Sequence, residues 1–262
     1  VVVDKLPPKT PGFIAREVAF LKKLTSRQIK ATLPAPALLG ERMWDADVSS
    51  KAYPTREAFV RDCVPILRHE IELLRAEGVS IIQIDDPHLC LFVDPEVRAG
   101  YENPDQAADF AVDMDNQVVA DFKDVRLAVH LCRRAGARAR GEAQHQGSYE
   151  PIMQQLRTLD VGHITMEFTT PGVGEMAVLG QLPEHVEIGL GVVSTLPGEV
   201  DSPETIVARV EQALQHVAPE RIVLNPECGF APGSAAKVDV DEVYTKLKNE
   251  VAAAKMLRAK YE

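Results

Sequence analysis

Two residues apart at the end of an apolar run, His130 and Cys132 offer an imidazole and a thiol suited to a metal ion. The run Arg126-Leu127-Ala128-Val129-His130-Leu131-Cys132 reads as a buried strand, because Leu127, Ala128, Val129 and Leu131 leave little polar surface for water. Side chains of a strand alternate faces, so residues i and i+2 leave the same side about 7 Å apart. Two further donors stand at the ends of other strand-like runs: Glu167 in His163–Phe168, and Cys228 in the Asn-Pro-Glu-Cys-Gly that follows Arg221–Asn225. One nitrogen, two sulfurs and a carboxylate oxygen make a tetrahedral zinc set. A thiol bound to zinc loses its proton near neutral pH, which would turn a substrate thiol into a nucleophile.

Each of these residues also has an ordinary reading. Cysteines are often core residues, a strand-end glutamate can pair with an arginine, and a cysteine before glycine can simply sit in a turn. A second copy of the same spacing, His88-Leu89-Cys90, lies beyond Pro87 and is expected to be loop packing rather than a ligand pair. At the end of Ile81–Pro87 stand Gln83, Asp85 and Asp86. These could bind a substrate ammonium group, with Asp85 also placed to act as a base; a strand-end cap is the plainer alternative. Arg133, Arg134, Arg138 and Arg140 could clamp an anionic tail or form a solvated basic loop.

The elements that must position these groups alternate. Strand patterns are expected at Val1–Val3, Ile29–Pro36, Ile81–Pro87, Arg126–Cys132, His163–Phe168, Glu187–Val193 and Arg221–Asn225. Helical patterns cover Phe13–Lys23, Arg56–Glu77, Pro104–Phe122, Ser148–Leu159, Glu175–Leu179, Ser202–His216 and Val240–Tyr261. Asn103 is placed as an N-cap, with Pro104 at the first helical position. Such alternation means an α/β fold with a parallel sheet. Repeats of about 30–50 residues with chemistry at strand ends favour a (β/α)8 TIM-type barrel. Six firm strands and one at the very start fall short of eight, so one or two N-terminal β/α units are expected to lie outside this sequence. The 262 residues are read as a single catalytic domain.

Composition narrows the class further. Lys and Arg total 29 against 39 Asp and Glu, a net charge of −10, which argues against nucleic acid or an anionic membrane as partner. No apolar run reaches the roughly 18 residues of a membrane span. Four cysteines in 262 residues do not suggest a disulfide framework, so a reducing, cytoplasmic setting is expected.

The motifs I-I-Q-I-D-D-P, H-L-C-R, G-S-Y-E-P-I, M-E-F, G-L-G-V-V and L-N-P-E-C-G-F occur in that order from about Lys30 onward. Together they resemble the C-terminal catalytic barrel of the cobalamin-independent methionine synthase family, within the wider superfamily of uroporphyrinogen decarboxylase-like barrels. The resemblance implies Zn2+ held by His130, Cys132, Glu167 and Cys228, and implies that Asp85 holds the amino group of homocysteine. Departures accompany it. The usual I-D-E-P is Ile84-Asp85-Asp86-Pro87 here, and Ser194-Thr195-Leu196-Pro197-Gly198 carries no histidine where the folate-dependent enzymes have one. The expected activity is zinc-dependent methyl transfer to a homocysteine-like thiol, from a folate or a corrinoid protein. Thiol addition to an epoxide, using the arginines as a sulfonate clamp, is the enzymatic alternative. A non-catalytic zinc- or corrinoid-binding barrel, a metal-free decarboxylase-like barrel and a homo-oligomer also remain open.

Overall fold

The computed structural model describes residues 1–7, 9–134, 145–169, 176–230 and 238–261. These form two compact units: 1–89 with 103–130 and 158–162, and 90–102 with 131–157 and 163–262. Each contributes three parallel strands, so six are present among the described residues.

In the first unit, β1 (Lys30–Pro34) pairs with β2 (Ile81–Asp85), and β2 with β3 (Arg126–His130). Alternation decides the faces. Ala31, Leu33, Ile82, Ile84, Leu127 and Val129 are all buried. Helix α4 (Arg56–Ala76) supplies an apolar stripe of Phe59, Cys63, Leu67, Ile71 and Leu74. It starts at Thr55, whose hydroxyl accepts from Ala58 N, as an N-cap should. It packs against α1 (Phe13–Leu21), α2 (Pro36–Met43) and α7 (Pro104–Val119). Truncating Ile71 or Leu74 to alanine at such sites costs about 2–5 kcal/mol.

Three expectations are corrected here. Val1–Val3 is not a strand; Val2 N donates to Met43 O, and the Val2 side chain packs with Tyr53 and Phe59. The strand expected over Ile29–Pro36 stops at Pro34, and Pro36 instead opens a helix, because it sits at the first turn, where no amide hydrogen is needed. His88 and Cys90 lie not in a loop but in the short helix α5 (Pro87–Leu91).

In the second unit, β4 (His163–Glu167) pairs with β5 (Glu187–Val193), and β5 with β6 (Ile222–Pro226). The chain from 148 to 159 is not one helix but a 3-10 turn, Glu150–Ile152, followed by α8 (Met153–Leu156). Pro203–Ala213 forms α9, capped by Ser202, and Val240–Tyr261 forms α10. Met176–Gln181 is a 3-10 helix; Glu175, the expected helix start, lies outside the described residues. Among the described residues, no helix is long and apolar enough to cross a membrane.

Candidate metal centre

Strand β3 ends at His130, not at Cys132 as the hydrophobic pattern implied. The chain continues in an extended run, with Leu131 N donating to Thr165 O, and then turns. Arg134 takes up a left-handed conformation, φ 60°, and its backbone N–H points back at Cys132 Sγ, 3.2 Å away. A backbone donor aimed at sulfur favours the thiolate. Cys228, just past β6, brings its Sγ to 3.4 Å from that of Cys132. A disulfide needs about 2.05 Å, whereas two sulfurs on one tetrahedral zinc lie about 3.8 Å apart given zinc–sulfur bonds of about 2.3 Å. One ligand atom each from His130, Cys132 and Cys228 falls within 4.8 Å of the others.

The imidazole is held from behind. His130 Nδ1 lies 3.2 Å from Asp85 Oδ1, which also accepts from Gln83 Nε2 at 2.6 Å; Gln83 Oε1 in turn accepts from Lys30 Nζ at 2.9 Å. A carboxylate on one ring nitrogen fixes the tautomer and directs the other nitrogen forward. Burial, as the leading cause, lowers the Lys30 pKa, partly offset by Asp85.

Glu167 is not among the three clustered residues, but it lies beside one of them, Cys132. Its carboxyl is wholly buried; Oε1 accepts from Arg133 N at 2.9 Å, and Oε2 has no hydrogen-bond partner. Burial, with the negative charges of Cys132 and Glu227 behind it, pushes its pKa up to about 9. A buried, half-satisfied carboxyl beside a thiol and a second carboxylate is costly unless a cation compensates it. The donor set and this orphaned oxygen therefore fit a zinc ion.

Other sequence candidates fall elsewhere. Asp86 is wholly buried: its Oδ1 accepts from Leu89 N at 2.9 Å, capping α5, and burial raises its pKa alongside that of buried Asp115. That placement gives Asp86 a capping role rather than a face toward substrate. His88 Nδ1 pairs with Glu41 Oε2 at 3.1 Å, and Cys90 is fully buried. Arg133 is fully buried too, with its guanidinium 4.3 Å from the Tyr149 ring centre, so it cannot serve as an open sulfonate clamp. Arg138 and Arg140 lie outside the described residues.

Sequence reasoning passed over three contributors. Glu227 is buried beside Cys228, accepting from Thr169 Oγ1 and, at 3.4 Å, from Thr195 N. Tyr149 brackets the Glu167 peptide. Gly191 of β5 leaves the room these groups need: a Cβ there would stand 2.6 Å from Met166 O and 2.7 Å from Glu227 Cα. The signal was present in Gly-Leu-Gly, since a glycine inside a strand marks a close approach.

Comparison with known proteins follows the same line. The family model described as "Cobalamin-independent synthase, Catalytic domain" matches residues 48–256. The chain is 27% identical to the methionine synthase of Pyrococcus horikoshii over 261 residues, 99% of this chain and 66% of that protein. It is 28% identical over 246 residues to the 5-methyltetrahydropteroyltriglutamate–homocysteine methyltransferase of Bacillus licheniformis, covering 94% of this chain and 29% of that one. A B12-independent methionine synthase from Shewanella sp. W3-18-1 superposes with a TM-score of 0.78 at 21% identity, over 96% of this chain and 68% of that chain. A putative one from Listeria monocytogenes gives 0.70, also at 21%, over 95% and 70%. These superpositions show the expected α/β barrel-type fold. The chain spans 66% of the length of the Pyrococcus relative and 29% of the Bacillus one.

Proposed function

The chain belongs to the cobalamin-independent synthase catalytic-domain family, and on that premise we propose that it transfers a methyl group to the thiol of homocysteine at a zinc ion held by His130, Cys132, Glu167 and Cys228. The observation that carries this is the convergence of His130, Cys132 and Cys228 within 4.8 Å, with the half-satisfied Glu167 carboxyl beside Cys132. The names of the relatives supply the acceptor, homocysteine, and for the Bacillus protein the donor, 5-methyltetrahydropteroyltriglutamate. They favour that donor over a corrinoid protein.

When bound, zinc lowers the pKa of the substrate thiol, so that it reacts as a thiolate near pH 7. The chain's residues do the rest. Asp85 holds His130 by Nδ1 and so leaves Nε2 as the nitrogen available to a metal. The Arg134 N–H donates to Cys132 Sγ and fixes its direction. Glu167 would supply the hardest of the four donors and so the weakest bond to a soft-ligated zinc. The Asp85 side chain is 36% exposed, which leaves carboxylate surface for the ammonium group of an amino acid thiol. In the transfer itself, the sulfur forms a bond to the methyl carbon as that carbon's bond to the donor nitrogen breaks. The nitrogen keeps the electron pair and takes up a proton, and alignment of sulfur, carbon and nitrogen is the barrel's contribution.

The test is methionine formation from homocysteine and 5-methyltetrahydropteroyltriglutamate, followed by mass spectrometry. Activity lost on chelation and restored by zinc is expected. Methionine formation that ignores chelation would contradict the proposed site.

A further inference from the structure

Beside the Glu167 carboxyl is a buried Tyr–Arg clamp whose geometry goes beyond ligand identity. The backbone N–H of Glu167 donates to Tyr149 Oη at 2.9 Å, and that hydroxyl lies 3.4 Å from Glu167 O. In a regular parallel sheet this N–H would go to a neighbouring strand. One step earlier it does so in reverse: Leu131 N donates to Thr165 O. After Leu131 the chain leaves β4, and a phenol replaces the lost strand partner. The segment 132–134 is thereby released from sheet pairing. It can turn so that Cys132 Sγ meets Cys228 Sγ at 3.4 Å and Arg133 N meets Glu167 Oε1 at 2.9 Å.

The same arginine closes the loop. The Arg133 guanidinium sits 4.3 Å from the centre of the Tyr149 ring, and its Nη1 donates to Gly147 O. Tyr149, Arg133 and Glu167 are each 0% exposed. The three buried residues close one circuit through both backbone and side chain: Glu167 N to the phenol, the phenol ring to the guanidinium, and Arg133 N to the Glu167 carboxylate. Gly147, with φ 133°, lets the acceptor's own backbone pack against Val93: a Cβ there would stand 2.1 Å from Val93 O.

We propose that Tyr149 and Arg133 are positioning residues for the metal centre: the phenol takes the place of a strand neighbour for Glu167, and the arginine locks the phenol. Together they set the separation between Cys132 and the Glu167 carboxylate. Neither residue touches the metal or the substrate. The proposal rests on the zinc reading above.

The experiment uses the full chain loaded with cobalt(II) in place of zinc, with wild type, Tyr149→Phe, Arg133→Lys and Glu167→Gln compared. A Leu156→Ala variant, which opens a cavity in α8, controls for loss of stability alone. Tyr149→Phe keeps the ring under the arginine but strands the Glu167 N–H. It should weaken zinc binding, measured by chelator competition, about 10- to 100-fold, the range for lost outer-shell partners. Its cobalt d–d spectrum should move toward that of Glu167→Gln. Arg133→Lys keeps the backbone donor but loses the planar stack, and should shift both readouts in the same direction by less. If Tyr149→Phe does not fold, Arg133→Lys carries the test. Leu156→Ala should melt earlier with an unchanged spectrum. Wild-type affinity and spectrum in folded Tyr149→Phe and Arg133→Lys would overturn the clamp while leaving the zinc site standing. A wild-type chain that binds neither metal would overturn both.

Discussion

His-Leu-Cys occurs twice in this chain, at 88–90 and 130–132, and the two copies end differently. The first follows Pro87 into a helix, where residues two apart project about 200° from each other. His88 goes to Glu41 at 3.1 Å, while Cys90 is fully buried. The second leaves the end of β3 in an extended run. There the imidazole and the thiol converge and meet Cys228. Identical residues thus become core in one backbone conformation and, with Cys228, a cluster of potential donors in the other. The thiols follow suit: Cys63, also inside a helix, is pushed up to about 12 by burial, whereas Cys132 and Cys228 are only partly buried.

The sharpest way to break the comparison is to exchange the roles by mutation. Cys132→Ser or Cys228→Ser should reduce bound zinc from about one per chain to near zero and abolish methyl transfer. Cys90→Ser should keep the zinc and lose about 1–3 kcal/mol of stability by burying a hydroxyl. Metal analysis alongside denaturant melts separates the two outcomes. Next in size is Gly191→Ala. Its Cβ would meet backbone atoms at 2.6 and 2.7 Å, so a loss of about 1–3 kcal/mol is expected, with weaker metal binding because Glu167 and Glu227 are forced apart. Asp85→Asn acts on only one copy: zinc affinity should fall about 10- to 100-fold, while His88→Asn leaves it unchanged, as competition titrations would show.

The smallest effect touches neither copy. Burial pushes the Glu250 carboxyl on α10 up to about 7, so between its usual value of 4.5 and about 7 the folded chain holds more protons than the unfolded one. Stability should therefore fall as pH rises through that window and flatten above it. Thermal melts of Glu250→Gln should lack this slope without any change in zinc content.

Much of this architecture is legible in the sequence because parallel buried strands announce themselves as short apolar runs. All six described strands fall where such runs were read, within one or two residues at their ends. Val1–Val3 failed for the same reason the others succeeded: an apolar run also suits a chain end packed against Tyr53 and Phe59. Helix α2 was hidden by prolines, which mark loops unless they occupy the first turn, as Pro36 does. The metal candidates were found by spacing together with the family resemblance. What no pattern could show was the turn after Leu131, since it depends on Tyr149, distant in sequence, supplying the hydrogen bond a strand would have made. Asp86 likewise looked like a twin of Asp85. One residue of offset turns it into the interior, where it caps α5.

The central claim is that the second His-Leu-Cys, and not the first, holds a zinc ion together with Cys228. X-ray absorption at the zinc edge of the reconstituted chain tests it directly. Two sulfur neighbours at about 2.3 Å with light-atom neighbours at about 2.0–2.2 Å are expected, falling to one sulfur in Cys132→Ser, if that variant holds any zinc, and staying at two in Cys90→Ser. A zinc ion without sulfur neighbours, or one that loses sulfur when Cys90 is replaced, would contradict it.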